Sequence, residues 1–164
     1  MKKIDGVKKS CLRPLMHTIV TCKGKDGRTN AIPVYYCSNC SYQPPMVTIS
    51  INPERFSYHL IKDSGVFVIN LPSTDNTEMF NFFQSTSGKK VDKLAKYSTT
   101  KADLIDCPIL NDCPVNIECK IVNSVKTGSH ETFIAEVLKV HEISKDYDSV
   151  DESAKVLLTG MLFV

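Results

Sequence analysis

The sequence predicts a mainly β domain of the α+β class, a largely antiparallel, barrel-like sheet with a few short helices. Three observations predict it. About seven apolar, β-branched runs recur along the chain, bounded by Gly, Pro, Asn and Asp. The runs follow one another mostly in hairpin order, which favours antiparallel pairing and closure of the sheet. The stretches between them hold too little helix for a doubly wound parallel sheet.

Taken in order, Met1 to Ser10 is polar and reads as a loose N-terminal segment, leaving residues 11–164 as one domain. Leu15 to Cys22 is apolar and β-branched, a first strand. Lys23-Gly-Lys-Asp-Gly27 is a turn, and Thr29 to Tyr36 returns as the second strand of a hairpin. Pro33 within that run argues for a sheet edge or a bulge, because proline cannot donate to a ladder. Cys37 to Pro45 reads as an irregular loop closed by Pro44-Pro45. Met46 to Ile51 is a third strand, followed by a helix over Phe56–Lys62 with Phe56, Leu60 and Ile61 at helical spacing. Asp63-Ser-Gly65 stops that helix, and Val66 to Leu71 is a buried strand ended by Pro72.

Asn76 to Gln84, with Met79, Phe80, Phe82 and Phe83, reads as a short helix, its aromatic cluster as core or dimer interface. Val91, Leu94 and Ala95 suggest another short helix, and Lys96 to Pro114 reads as loop. From Val115 to Val122 apolar and polar residues alternate, with Val115, Ile117, Cys119 and Ile121 on one face and Asn116, Glu118 and Lys120 on the other. Thr127-Gly-Ser129 turns the chain into a long strand, Thr132 to Ile143. An acidic loop, Ser144 to Ser153, and a closing strand, Val156 to Val164, complete the chain.

Composition narrows the function. The chain has 164 residues, 42% hydrophobic and 23% charged, with a net charge of +2. A charge that small, with no basic stripe interleaved with aromatics, argues against nucleic acid. No apolar run approaches membrane-spanning length. Lys2, Lys3, Lys8 and Lys9 are followed by no apolar segment, so the N-terminus does not read as a secretion signal. Seven cysteines without such a signal point to reduced thiols in the cytoplasm.

The most chemically loaded stretch is Ser50 to Ile61, Ser-Ile-Asn-Pro-Glu-Arg-Phe-Ser-Tyr-His-Leu-Ile. A strand ends there, Pro53 opens a turn, and a helix begins. That junction exposes backbone N–H groups at the positive end of a helix dipole. Ser50, Asn52, Arg55 and Ser57 add hydroxyl, amide and guanidinium donors, a set suited to phosphate. The plainer alternative is an ordinary helix start with a solvated arginine. No P-loop, dinucleotide-binding glycine pattern or nucleophile elbow is present.

Several motifs in order resemble the flavin reductase-like family, the FMN-binding split barrel, and within it the flavoredoxin-like branch. They are Ile19-Val-Thr-Cys with Asn30 to Pro45, Val47 to Arg55, Ser64 to Asn70, Ser87 to Lys93, and Gly128 to Val137, spanning about Leu12 to Phe163. The resemblance implies a homodimer with FMN, or in some members FAD, at the barrel edge near the subunit interface. It implies phosphate binding along Ser50, Ile51, Asn52, Arg55 and Ser57, with Ser87, Gly88 and Lys89 approaching the same end. It assigns Asn30, Ala31, Cys37, Ser38 and Asn39 to the segment lining the isoalloxazine. His130 matches a Gly-x-His turn beside the nicotinamide site, with Ser129 replacing the commoner acidic residue. The alternative for His130 is a solvated turn histidine.

Cys37-Ser-Asn-Cys40 has CxxC spacing, but no helix follows to lower a thiol pKa and no second pair completes a zinc set. No metal site is expected. Cys22 and Cys119 read as buried apolar residues, and His17, His59 and His141 as isolated ones. The activity implied is an FMN-dependent NAD(P)H:flavin oxidoreductase. The alternatives are a flavoredoxin-like carrier serving a redox protein partner, or an FMN-binding module without its own NAD(P)H reductase activity.

Overall fold

A computed structural model describes residues 12, 15–142 and 158–159. The segment Met1 to Ser10, the acidic loop and all of the closing strand except Leu158–Thr159 lie outside the described residues. The strands are β1 (Leu15–Met16), β2 (Thr18–Lys23), β3 (Thr29–Val34), β4 (Cys37–Ser41), β5 (Met46–Ile51), β6 (Val66–Leu71), β7 (Thr99–Lys101), β8 (Pro108–Leu110), β9 (Val115–Thr127), β10 (His130–Glu142) and β11 (Leu158–Thr159). Two α-helices, α1 (Phe56–Ser64) and α2 (Thr77–Ser85), and short 3₁₀ turns at Thr74–Asn76 and Leu94–Lys96 complete the described elements. None of these helices is long and apolar enough to cross a membrane.

Seven strands form one antiparallel sheet in the order β3-β2-β6-β9-β10-β5-β4. Its outermost strands, β3 and β4, are separated in sequence only by Tyr35 and Tyr36. Two residues span at most about 7 Å, so the sheet must curl until its edges nearly meet. The Ser50 N–H donates to the Tyr36 carbonyl at 2.9 Å, carrying the β4–β5 ladder up to that link. The result is a barrel split along one side, and Pro33 lies on an edge strand as proline requires.

Alternation fills the interior. In β5, Val47, Ile49 and Ile51 are buried while Met46, Thr48 and Ser50 are half-buried. They meet Val20, Phe67, Ile69, Cys119, Phe133 and Ala135 in the barrel core, which α1 closes with Tyr58, Leu60 and Ile61. Strands β2 and β6 are covered on both faces, which explains their continuous apolar runs. Ile19 packs outward on Met79, Phe80 and Phe83 of α2. Val68 packs outward on Ala102, Ile105, Cys107 and Ile109.

The structure corrects the sequence-based expectation in three places. Cys37–Ser41 is an edge strand paired with β5, not an irregular loop. Lys96 to Pro114 contains the β7–β8 pair. Asn116 and Glu118 are buried, because the loop between β7 and β8 covers their face of β9. That loop also satisfies Glu118: the Asp103 and Leu104 N–H groups each donate to its carboxylate at 2.8 Å, and His141 Nε2 lies 2.6 Å away. Burial works against the Glu118 charge, but the His141 ring and the two N–H donors outweigh it and hold the carboxyl below its usual range. His141 is therefore not isolated.

Glycine sets two turns where positive φ is required. Gly65 ends α1 at φ 75, its N–H returning to the Ile61 carbonyl at 2.9 Å. Gly128 at φ 58 holds the first position of the two-residue turn joining β9 and β10, as primed hairpin turns favour.

Candidate functional site

The end of β5, the start of α1, the β3 edge and the chain after α2 surround a cleft of about 600 Å³. Four walls differ in chemistry. Leu15, Ile32, Pro33, Val34, Tyr35 and Tyr36 form an apolar and aromatic side. Ser50, Ile51, Asn52, Arg55, Phe56 and Ser57 form the strand-to-helix junction. Phe83, Gln84, Ser87, Gly88 and Lys93 face them from α2 and beyond. Asn30 lies at the deep end and His130 reaches the cleft from the β9–β10 turn.

The junction concentrates hydrogen-bond donors. Arg55 is the N-cap of α1, with extended backbone at φ −75 and ψ 138 and no side-chain cap bond. The first N–H groups of a helix lack intrahelical partners, and here they open beside Ser57 at the positive end of the dipole. The Arg55 side chain is exposed, and among the described residues its guanidinium makes no hydrogen bond or ion pair. Asn52 turns the chain into the helix by accepting the Arg55 N–H on its carbonyl at 3.0 Å and the Glu54 N–H on Oδ1 at 2.9 Å. Among the described residues, no carboxylate lines the cleft.

Deeper in, Asn30 is buried and its Nδ2 donates to Ser57 Oγ at 2.7 Å. Among the described residues its buried Oδ1 has no hydrogen-bond partner. Gly88 presses on that amide so closely that a Cβ there would lie 2.2 Å from Oδ1. The loop after α2 can therefore cross β3 only with a glycine at this point. Tyr35 Oη donates to Gln84 Oε1 at 2.9 Å, tying β3 to α2. Burial pushes the Tyr35 phenol up. Lys93 is 3% exposed and donates to the Phe83 carbonyl at 3.0 Å.

Of the residues singled out from sequence, Asn30, Ser50, Ile51, Asn52, Arg55, Ser57, Ser87, Gly88 and His130 come together at this cleft. Ser50 Oγ is held by Thr132 Oγ1 at 2.8 Å. His130 Nδ1 lies 2.9 Å from Ser129 Oγ, and its ring meets Tyr36 edge-on at 5.4 Å. Ala31, Cys37, Ser38, Asn39 and Lys89 stand elsewhere. Ala31 is buried against α2. Cys37, Ser38 and Asn39 run along β4. Lys89 lines a neighbouring hollow of about 480 Å³ with Arg28, Phe56 and His59.

The cysteine pair is not arranged as a redox dithiol. Cys37 packs partly against the barrel core, and burial pushes its thiol up to about 11. Cys40 is exposed at an irregularity in the β4–β5 pairing, and both thiols are free. Cys22 and Cys119 are buried, as expected.

Sequence reading held Tyr35 only as part of the Asn30 to Asn39 segment and Lys93 only as the end of the Ser87 to Lys93 motif, and it missed Phe83 and Gln84 as site residues. The burial of Lys93 gave no local signal, since a lysine in a polar stretch reads as solvated.

The chain and its fold resemble known proteins. The chain is 31% identical over 102 residues to an uncharacterised protein of Archaeoglobus fulgidus, covering 61% of this chain and 58% of that one. A second relative, from Aeropyrum pernix, is 24% identical over 135 residues, covering 80% of this chain and 51% of its own length. The chain thus spans a little over half the length of these relatives. It is 24% identical over 126 residues to the FMN reductase (NADH) RutF of Pseudomonas syringae pv. syringae, covering 77% and 69% of the two chains. Among solved structures, flavoredoxin from Methanosarcina acetivorans shares the fold at a TM-score of 0.87 and 22% identity, covering 99% and 88%. Flavoredoxin of Desulfovibrio vulgaris (Miyazaki F) does so at 0.79 and 24%, covering 96% and 83%. Residues 13–158 match the flavin reductase like domain. With that match running from the first described strand to the last, the chain belongs to the flavin reductase-like family.

Proposed function

We propose that this protein binds FMN in the cleft and passes electrons from NAD(P)H through it, as a flavin reductase-like oxidoreductase. The observation that carries this reading is the polarity of the cleft: unpaired cationic and N–H donors at one end, apolar and aromatic walls at the other. A phosphate-bearing flat ring has the same polarity.

When bound, the flavin supplies the hydride acceptor and the electron relay. The protein's residues do the rest. Arg55, the first N–H groups of α1 and Ser57 hold the phosphate, a charge-assisted grip. The orphaned Asn30 Oδ1 fits a hydroxyl of the ribityl chain, since a buried acceptor needs a donor. Among the described residues, strand β3 has no sheet neighbour on its outer side. Edge backbone of this kind offers N–H donors to ring positions that gain negative charge on reduction. Ile32, Val34 and Tyr35 supply flat apolar contact and exclude water. His130 and Tyr36 border the side from which a nicotinamide would approach.

The test is reconstitution with FMN, then anaerobic addition of NADH or NADPH. Bleaching of the yellow protein is the expected outcome. Arg55→Ala should weaken FMN binding tenfold to a hundredfold, from a loss of about 1.5–3 kcal/mol. An unchanged Kd would remove Arg55 from the site. A second reading is an electron carrier that keeps its flavin and serves a protein partner. Tyr36, 43% exposed beside the cleft, leaves that route accessible. Bleaching by a chemical reductant but not by NAD(P)H would select it.

A further inference from the structure

We propose that Thr132 and Thr127 set the polarity of the Ser50 hydroxyl, so that Ser50 meets the cleft only as an acceptor and reads an O–H or N–H of the ligand, not its phosphate. This rests on the reading of the cleft as a flavin site and names what one of its walls recognises. Thr132 and Thr127 are positioning residues in that role, since they act through Ser50.

Three hydroxyls stand in a row from the cleft wall to the surface. Ser50, the second-last residue of β5, lines the cleft. Its Oγ lies 2.8 Å from Thr132 Oγ1 on β10. Thr132 Oγ1 lies 3.1 Å from Thr127 Oγ1, at the end of β9. Thr127 is exposed and donates to the His130 carbonyl at 3.3 Å. Among the described residues these three bonds are the only ones that the three hydroxyls make.

The bond to the carbonyl fixes the direction of the other two. A carbonyl oxygen only accepts, and a hydroxyl has one proton to give. Thr127 spends its proton on His130, so the Thr127–Thr132 contact must use the proton of Thr132. The Thr132–Ser50 contact must then use the proton of Ser50. Ser50 Oγ therefore turns lone pairs, not a proton, to the cleft. Hydroxyls joined head to tail polarise one another, which strengthens the acceptor at the head of the row.

That polarity decides what can sit against Ser50. A phosphate oxygen is itself an acceptor, so it gains no bond there and meets lone pairs. The sequence pattern counted Ser50 among the phosphate donors, and the hydroxyl row corrects that. The Ser50 N–H is no substitute, since it goes to the Tyr36 carbonyl at 2.9 Å. Ser57 differs: it accepts from Asn30 Nδ2 at 2.7 Å, a bond that leaves its own proton unspent. Ser50 thus marks where the anionic end of the ligand gives way to groups that carry hydrogen. In a flavin those groups are the ribityl hydroxyls and the ring N3–H.

The experiment titrates the full chain with FMN, riboflavin and lumiflavin, read by flavin fluorescence at one pH. Riboflavin lacks the phosphate, and lumiflavin lacks the ribityl chain as well. In Ser50→Ala the Kd values of FMN and riboflavin should rise by one shared factor, roughly threefold to tenfold for one hydrogen bond. The same rise with lumiflavin assigns the bond to the ring N3–H; an unchanged lumiflavin Kd assigns it to a ribityl hydroxyl. Thr127→Val, outside the cleft, should raise the same Kd values, and Thr127→Ser, which keeps the hydroxyl, should restore them. Because Thr127 acts through Ser50, the double variant Ser50→Ala/Thr127→Val should bind no more weakly than Ser50→Ala alone, whereas a merely structural role would add. A loss confined to FMN in Ser50→Ala would make Ser50 a phosphate donor and overturn the proposal. So would unchanged Kd values in Thr127→Val, or additive losses in the double variant. Failure of the wild type to bind any of the three flavins would instead bring down the flavin reading itself.

Discussion

Gly88 and Asn30 meet where the chain after α2 crosses β3, and their contact fixes the deep end of the cleft. A methyl at position 88 would lie 2.2 Å from Asn30 Oδ1. Asn30 cannot swing aside freely, because Ser57 holds its other amide atom at 2.7 Å. Gly88→Ala should therefore cost about 1–3 kcal/mol of stability through overpacking, read as a lower urea midpoint. It should also weaken FMN binding at least tenfold, by displacing Ser57 or the loop. Unchanged values for both would mean that the loop relaxes without the amide. At this scale the sequence was partly legible. Arg55, Ser57 and Asn52 were visible because donors crowd a strand-to-helix junction, a local pattern. Asn30 and Gly88 were reached only through family motifs, since 58 residues separate them in the chain. Lys93 stood at the end of a family motif, but its burial was illegible, because burial of a lysine depends on what folds over it.

The elements bring the junction into place through one buried carboxylate. Glu131 on β10 accepts from Tyr58 Oη at 2.6 Å, from Ser124 Oγ at 2.7 Å and from Lys62 Nζ at 3.0 Å. Tyr58 and Lys62 are one turn apart on α1, so the helix whose first turn faces the cleft is bolted to the sheet. These bonds, the Tyr58 hydroxyl first, then Ser124 and Lys62, hold the Glu131 carboxyl down at about 2 against an ordinary 4.5. A carboxyl depressed in the folded state stabilises it fully above its unfolded value. That contribution should fade as pH drops from about 4.5 towards 2. Glu131→Gln should lose on the order of 1.5–3 kcal/mol at pH 7 and show a shallower stability loss across that acid window in urea melts. Equal pH profiles for the two proteins would show that Glu131 titrates alike folded and unfolded. Helix α1 itself was readable from sequence, as were β5 and β6, because each carries its own periodicity and stop. Strand β4 was not, since Cys-Ser-Asn-Cys-Ser lacks strand propensity and pairs only because β5 offers an edge. The strands β7 and β8 are three residues each and are fixed by distant partners, including Asn70 Oδ1 accepting the Leu110 N–H at 2.9 Å.

For the whole molecule, the two-residue link between β3 and β4 decides the architecture. It forces the sheet to curl, and it leaves the cleft beside the split. The outer face of the sheet continues outward from that cleft. Ser50 pairs with Thr132, and Thr132 with Val125, so their outward-facing side chains form a row running from the cleft wall across β10 to β9. Along it Thr48, Ser50, Thr132 and Ile134 are only half-buried, and Val122 and Val125 are each 51% exposed. Small hydroxyls and apolar residues without a charge among them suit a self-complementary contact. A second copy seated there would also wall the flavin end near Ser50. We therefore expect a homodimer, sedimenting at twice the 18.3 kDa of the chain. Val125→Asp should shift the population towards monomer, because two-fold symmetry brings each new carboxylate into the contact twice. FMN affinity should fall with it if the partner closes the cleft. An 18.3 kDa species holding FMN with wild-type affinity would show instead that one barrel suffices, with Val122 and Val125 left in solvent.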